Sequence, residues 1–264
     1  MDKYLLLYEG QYLGQTIKSY ETDLISVKST LHERSESKFH AHSNSYLSIL
    51  LSGLYSEVTS DSQKIISPCK ILYRPAHYKH KNQFIAEQTK CFNIEFSPAW
   101  FEKHEVNEKK IKHQLKEIQN FPFILHLLID FLQHREMEFF EELLLQLISS
   151  DEKLVSPLRM PWLGKLVRIL DNEIEEHHSL TSLSERVCVH PNYMSRIFKE
   201  HFGLTIGQYQ MDQKIKAATK KLFTERTSIA QIALDAGFFD ESHFIKSFKA
   251  YHKISPHQFR MLLK

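Results

Sequence analysis

The stretch from Ser228 to Lys249, SIAQIALDAGFFDESHFIKSFK, constrains this chain more tightly than any other. Ser228 with Gln231 three residues later is a capping-box start, and Ile229, Ile232 and Ala233 fall at i, i+3 and i+4, the spacing of a buried helical stripe. Gly237 ends that helix. Glycine enters the left-handed conformation at a helix C-terminus without steric cost, so a sharp turn follows and drives Phe238 back into the core. Asp240 then caps a second helix, along which Phe244, Ile245 and Phe248 are apolar while Glu241, Ser242, Lys246 and Lys249 are polar. One face of that helix packs and the other is offered outward.

The chain makes this statement twice. Residues 183–199, LSERVCVHPNYMSRIFK, repeat the pattern: Leu183 answers Ile232, Ser184 answers Ala233, Cys188 answers Gly237, and Phe198-Lys199 answers Phe248-Lys249. The offset grows by one residue inside the turn, as a single inserted residue there requires. The exits match too, with Tyr209 parallel to Phe259. An internal repeat dictates architecture, so two helix-turn-helix units joined by a helix, roughly Tyr209 to Phe223, are predicted to form one bipartite domain. Such a unit lays its second helix in a DNA major groove.

The last hundred residues closely resemble the AraC/XylS family of bacterial transcription regulators. The resemblance rests on S-I-A-Q-I-A-x-x-A-G-F-x-D-x-S-x-F-x-x-x-F-K and on S-P-x-x-F-R over Ser255 to Arg260. It implies that both recognition helices enter successive major grooves of double-stranded DNA, and it implies RNA polymerase as a partner. Four positions depart from the family's usual residues: Cys188 for a turn glycine, His190 for a serine or threonine N-cap, Lys214 for the arginine of the linking helix, and Lys253 for the glycine before the last Ser-Pro. The first three lie in or next to the first unit, which is therefore expected to grip less tightly than the second.

Helix geometry and the family pattern together select the outward residues. In the first recognition helix His190 caps, Tyr193, Met194, Ile197 and Phe198 point inward, and Asn192, Ser195, Arg196 and Lys199 face out. Arg196 can take both acceptors of a guanine, Asn192 can do the same for adenine, and Lys199 meets phosphate. In the second helix Glu241, Ser242, Ile245, Lys246 and Lys249 form the corresponding set, with Glu241 able to accept from cytosine and Ile245 to touch a thymine methyl. His243 is expected to be packed or at the edge.

Charge agrees with this division. The formal net charge of the 264 residues is only +2, but from Pro161 onward 15 Lys and Arg stand against 11 Asp and Glu, about +4, leaving about −2 for the rest. A hydrophobic content of 42% is ample for two cores. No apolar run approaches the roughly 20 residues of a membrane helix. The N-terminus lacks a secretory pattern, which predicts a cytoplasmic protein without a membrane partner. Cys69, Cys91 and Cys188 are too widely spaced for a disulfide frame or a metal knot.

Residues before about 100 follow another grammar. Short apolar runs at Leu24 to Val27, Tyr46 to Leu51, Lys64 to Ile66, Ile71 to Tyr73 and Cys91 to Phe96 are punctuated by turn clusters such as Ser52-Gly53 and Ser67-Pro68. That spacing predicts a small barrel or sandwich. With His-x-His at His40 and His42 and a Pro-x-His turn at Pro75 to His77, it resembles the cupin-like sensor barrel common in this place among AraC-like proteins. A barrel mouth is a natural ligand site, so His40, His42, Tyr46, Tyr73, Arg74 and His77 are candidates for a small-molecule effector pocket. His40, His42, His77 and His80 raise a metal, but the glutamate that completes a cupin ligand set is missing, since no carboxylate follows His42 until Glu57. Polar histidines lining a pocket are the reading adopted, with neither metal nor cofactor.

From Pro98 to about Ser150 the pattern turns helical. Ile111, Leu115 and Ile118 form a narrow stripe, and dense apolar residues resume after Pro122, to cover the barrel or to pair with a second subunit in a homodimer. The reading is a two-domain α+β chain. Residues 1–150 form a cupin-like β-barrel for sensing or dimerisation, with helices at its end; residues 151–161 are a linker; residues 162–264 are an all-α double helix-turn-helix that binds DNA. The rival is a metal-dependent cupin-type enzyme carrying a DNA-binding appendage.

Overall fold

The computed structural model describes residues 4–108, 114–117, 122–133 and 160–263. The chain divides into two compact units, Met1–Ile148 with Arg260–Lys264, and Ser149–Phe259. The proposed linker at 151–161 and the apolar stretch at 137–148 lie almost wholly outside the described residues, as do Ile111 and Ile118.

In the first unit, strands β1 (Leu5–Leu7), β2 (Gln15–Glu21), β3 (Ile25–Glu33), β4 (His40–His42), β5 (Ser45–Ser52), β6 (Tyr55–Val58), β7 (Gln63–Ile66), β8 (Lys70–Arg74), β9 (Lys81–Phe84), β10 (Gln88–Phe96) and β11 (Gln114–Glu117) form three sheets. Their orders are β1-β4, then β11-β8-β5-β10-β3-β2, then β7-β6-β9. Four of the five apolar runs named above fall wholly in strands, and the fifth enters β3 at Ile25, one residue after its start at Leu24. Among the described residues these sheets remain open at their edges, so the continuous closed wall of a barrel is not formed. Instead the six-stranded and three-stranded sheets share a core, with Leu50, Leu72 and Cys91 from one and Tyr55, Ile66 and Phe84 from the other.

The period of two along a strand decides what each residue meets. On β5, Tyr46, Ser48 and Leu50 look toward the shared core, while Leu47, Ile49 and Leu51 fill the opposite side, where Phe92, Phe96 and Trp100 are also fully buried. With both faces covered, β5 is buried from Ser45 to Leu51 and reads as an apolar run rather than as an alternation. β2 is the opposite case, an edge strand exposed at six of its seven residues, so no hydrophobic pattern announces it.

Helices α1 (Pro98–Lys103) and α2 (Pro122–Leu132) follow the sheet. The helical reading of the Leu115 region is corrected by β11, which pairs antiparallel with β8, Leu115 opposite Leu72. The exposed edge of β8 offers unpaired backbone groups, and four paired residues outweigh a stripe too narrow to hold a helix.

From Pro161 onward the described chain is all helical: α3 (Pro161–Asn172), α4 (Leu180–Val187), α5 (Pro191–Phe202), α6 (Ile206–Thr224), α7 (Ile229–Asp235), α8 (Glu241–His252) and α9 (Pro256–Leu263). α4 with α5 and α7 with α8 are the two repeated units. α6 is the joining helix, longer at both ends than predicted because Thr205 and Gln208 close a full capping box at its start. None of the described helices is long and apolar enough to cross a membrane.

Candidate nucleic-acid interface

Each recognition helix is built the same way. In the second, the Ser228 side chain accepts from Gln231 N at 3.0 Å to start α7, although the Gln231 amide turns to Asp235 at 2.7 Å instead of closing the box. Gly237 takes φ +75°, Phe238 is buried, and the Asp240 carboxylate accepts from His243 N at 2.7 Å to start α8. In the first helix-turn-helix Cys188 adopts the same left-handed turn at φ +56° despite its side chain, and after the second recognition helix Lys253 is left-handed too, at φ +63°. Both departures from glycine keep the backbone and accept the strain. His190 keeps the capping role, its Nδ1 accepting from Asn192 N at 3.3 Å.

The inward faces are aromatic and aliphatic. Met194, Ile197 and Phe198 of α5 join Leu163, Leu166 and Leu183 in one core. Phe244 and Phe248 of α8 pack with Phe238 and Phe259 at ring separations of 4.9 to 5.7 Å. Opposite them, Asn192, Arg196 and Lys199 are exposed and Ser195 is half-buried, while Glu241, Ser242, Lys246 and Lys249 are exposed and Ile245 is half-buried. Every residue assigned outward thus has surface. Tyr193 corrects the inward assignment: it is 44% exposed, because Trp162 at 6.0 Å covers only one side of its ring. The Arg196 guanidinium lies 5.4 Å from that ring and 3.0 Å from Glu200, so its direction along the helix is set from both ends.

The two readers are locked to one another through α6 and the turns. Tyr209 of α6 donates to Asp171 of α3 at 2.8 Å, and Tyr251 of α8 donates to Asp212 of α6 at 2.6 Å. Lys214, which stands where the family has arginine, donates to the carbonyl of Gly237. Gly237 also sits directly against the loop after α3. A Cβ added there would lie 2.7 Å from the Glu175 Cα and the Ile174 carbonyl oxygen. The second glycine turn therefore serves as a packing surface as well as a bend. A chain pattern reveals the bend but not the neighbour.

Comparison with known proteins bears on this unit. Residues 183–261 match a helix-turn-helix domain family, a span that takes in both repeats. Over 92 residues the chain is 32% identical to the arabinose operon regulatory protein of Salmonella typhimurium, a match covering 35% of this chain and 33% of that protein. The C-terminal unit is an AraC-type helix-turn-helix domain. The multiple antibiotic resistance protein MarA of Escherichia coli is 29% identical over 92 residues, which cover 35% of this chain and 72% of MarA. The C-terminal domain of the response regulator yesN of Fusobacterium nucleatum is 30% identical, with a TM-score of 0.36, covering 37% of this chain and 95% of that one. The chain thus spans about a third of the length of the arabinose operon regulator.

The first unit holds its own candidate site. A cavity of about 30 Å³, room for on the order of two waters, is lined by His32, His40, His42, Tyr46, Tyr55 and Arg74 among others. Arg74 and Glu57 form an ion pair at 2.6 Å with side chains 1% and 2% exposed, and Arg74 also donates to Tyr55 Oη at 3.0 Å. Burial opposes the guanidinium charge, but Glu57, Tyr46 and Tyr55 outweigh it and hold Arg74 protonated. The histidines are neutral for the converse reason. Burial pushes His42 down to about 3, helped by His40 and Arg74, and His32 down to about 4, helped by His40. It lowers His40 as well, and His80 more strongly.

Tautomers follow from the partners. His40 Nδ1 donates to the Lys38 carbonyl at 2.9 Å and His80 Nδ1 to the Tyr78 carbonyl at 3.0 Å. His80 Nε2 is then free to accept from Tyr46 Oη at 3.2 Å. Four of the six predicted pocket residues, His40, His42, Tyr46 and Arg74, converge. Tyr73 does not, because it neighbours Arg74 on β8 and points to the other face; His77 does not, because it sits in an exposed left-handed turn at φ +61°. His80, outside the six pocket candidates, packs against His40 with ring centroids 4.3 Å apart and the rings tilted by 52°. Among the described residues no group of three or more His, Cys, Asp and Glu side chains is placed to hold a metal ion.

Proposed function

We propose that this chain is a sequence-specific transcription regulator that reads two successive major grooves of double-stranded DNA. The observation that carries the reading is the pair of capped recognition helices, each with one buried aromatic face and one polar face, held in one body by α6 and the Gly237 contact. Phosphate contacts from residues such as Lys199, Lys246 and Lys249 supply affinity, and Asn192, Ser195, Arg196, Glu241, Ser242 and Ile245 supply sequence preference. The arabinose operon relative is named as a regulatory protein, which supports this reading over the enzyme alternative.

In the same reading the first unit is a cupin-like sensor, its two facing sheets standing in for the closed barrel, and the cavity around Arg74 and the histidines receives a small-molecule effector. The chain acts in the cytoplasm as a homodimer and contacts RNA polymerase. Residues 1–150 form the sensor, 151–161 the linker and 162–264 the reader. The test is selection of random duplex DNA by the full-length chain, followed by affinity at several salt concentrations. A selected site with two short blocks about one helical turn apart, bound less tightly as salt rises, is the expected result. Failure to enrich any sequence overturns the reading.

A further inference from the structure

We propose that Phe239 is a base-reading residue that places its ring on the C5-methyl of a thymine in the major groove. The inference rests on the DNA-reading function above and adds a contact that the outward helix positions do not include.

The two repeats isolate this residue. In the first unit one residue, Val189, separates the left-handed Cys188 from the N-cap His190. In the second, two residues, Phe238 and Phe239, separate Gly237 from the N-cap Asp240. Backbone bonds fix which is the extra one. Val189 N donates to the Ser184 carbonyl at 3.0 Å and Phe238 N donates to the Ala233 carbonyl at 2.9 Å, from equivalent places in the two units. Phe238 is thus the counterpart of Val189, and Phe239 has none. Phe238 is 4% exposed and does the packing; Phe239 is 88% exposed, the most exposed large apolar side chain among the described residues.

Its position gives that exposure a use. A single exposed apolar side chain is ordinary, but this one stands directly before the cap of α8, and the N-terminal end of a recognition helix is the part that reaches base edges. The backbone is held on both sides, by the Phe238 bond and by the Asp240 cap, so little order has to be imposed on binding. The groove decides the partner. Aromatic and aliphatic wedges enter base steps from the minor groove, whereas a recognition helix lies in the major groove, where the apolar feature of a base pair is the thymine methyl.

The experiment uses the full-length chain and its selected duplex. Each thymine of the site is replaced in turn by deoxyuridine, which removes only the methyl, and both the unaltered chain and Phe239→Ala are titrated against every duplex. One thymine is expected at which loss of the methyl weakens the unaltered chain about fourfold, the worth of one buried methyl-sized group. Phe239→Ala is expected to lose a similar factor on the thymine duplex and to be indifferent to the methyl at that position, with an unchanged melting temperature. Equal binding by Phe239→Ala and the unaltered chain overturns the proposal. So does a loss that leaves the methyl effect intact at every thymine. An unaltered chain that selects no sequence overturns instead the DNA-reading function on which the proposal stands.

Discussion

At the scale of single residues, the reading face separates groups that can distinguish bases from groups that can only sense charge. Arg196 is 60% exposed at its side chain, carries a planar fork, and is oriented by Tyr193 and Glu200. To read a guanine it exchanges Glu200 for two base acceptors, and the exposed pair is cheap to give up. Arg196→Ala is therefore expected to relax preference at one base position, by roughly 1–3 kcal/mol, when affinities are compared on single-base variants of the site. Lys199→Ala should instead weaken all of them alike and lower the salt slope by about one. Equal losses on every duplex from Arg196→Ala would remove its assigned role. The outward set was legible because the heptad-like spacing of Met194, Ile197 and Phe198 leaves only one other face. Tyr193 was misplaced since an aromatic near a core reads as inward until its neighbour's coverage is known.

At the scale of elements, the turns carry constraints of two kinds. Gly203 and Gly237 both take positive φ, but a Cβ at Gly203 would meet nothing within 4 Å, whereas one at Gly237 would strike the Ile174–Glu175 backbone. Gly203→Ala should cost only the left-handed conformation, about 1 kcal/mol. Gly237→Ala should cost roughly 2–4 kcal/mol, since overpacking against backbone is added, and it should weaken DNA binding by disturbing the spacing of the two readers. Cys188→Gly runs the other way: it relieves a left-handed side-chain residue and should stabilise by about 0.5–1 kcal/mol. Urea unfolding of the full chain measures all three. No gain from Cys188→Gly, in stability or in DNA binding, would count against the idea that the first unit's departures weaken its grip.

At the scale of the whole molecule, the first unit buries neutral histidines where the second exposes its charge. His32 and His42 have folded pKa values pushed down to about 4 and about 3, and His40 and His80 are also lowered. Groups with depressed folded pKa values contribute stability that is fully present above the unfolded value, about 6.5 for histidine. That contribution is lost as pH falls from there toward the folded values. Glu95, raised chiefly by burial, acts in the opposite sense, its contribution lost as pH rises above the unfolded carboxylate value. The first unit should therefore lose urea resistance between about pH 6.5 and about pH 5. Trp100, fully buried, reports this by fluorescence once Trp162 is replaced by Phe. A midpoint that does not move across that window would show that these imidazoles are charged in the folded chain.

What the sequence by itself determined is local: the two helix-turn-helix units, their caps, the five apolar strands and the split of charge between the chain's halves. Each follows from a helical periodicity, a short apolar run, a local count of charges or one residue's backbone preference, and such signals survive without knowledge of any neighbour. Tertiary structure decided the rest. It sent Tyr73 and Arg74 to opposite faces of one strand, set His80 behind the pocket against His40 and Tyr46 while His77 stayed in an exposed turn, and turned the Leu115 region into an edge strand of β8. It set the Gly237 turn against Ile174 and Glu175, and left Phe239 in the open while Phe238 filled the core. These outcomes depend on which distant surfaces meet, and burial and close approach are properties of pairs far apart in the chain, which no pattern along it encodes.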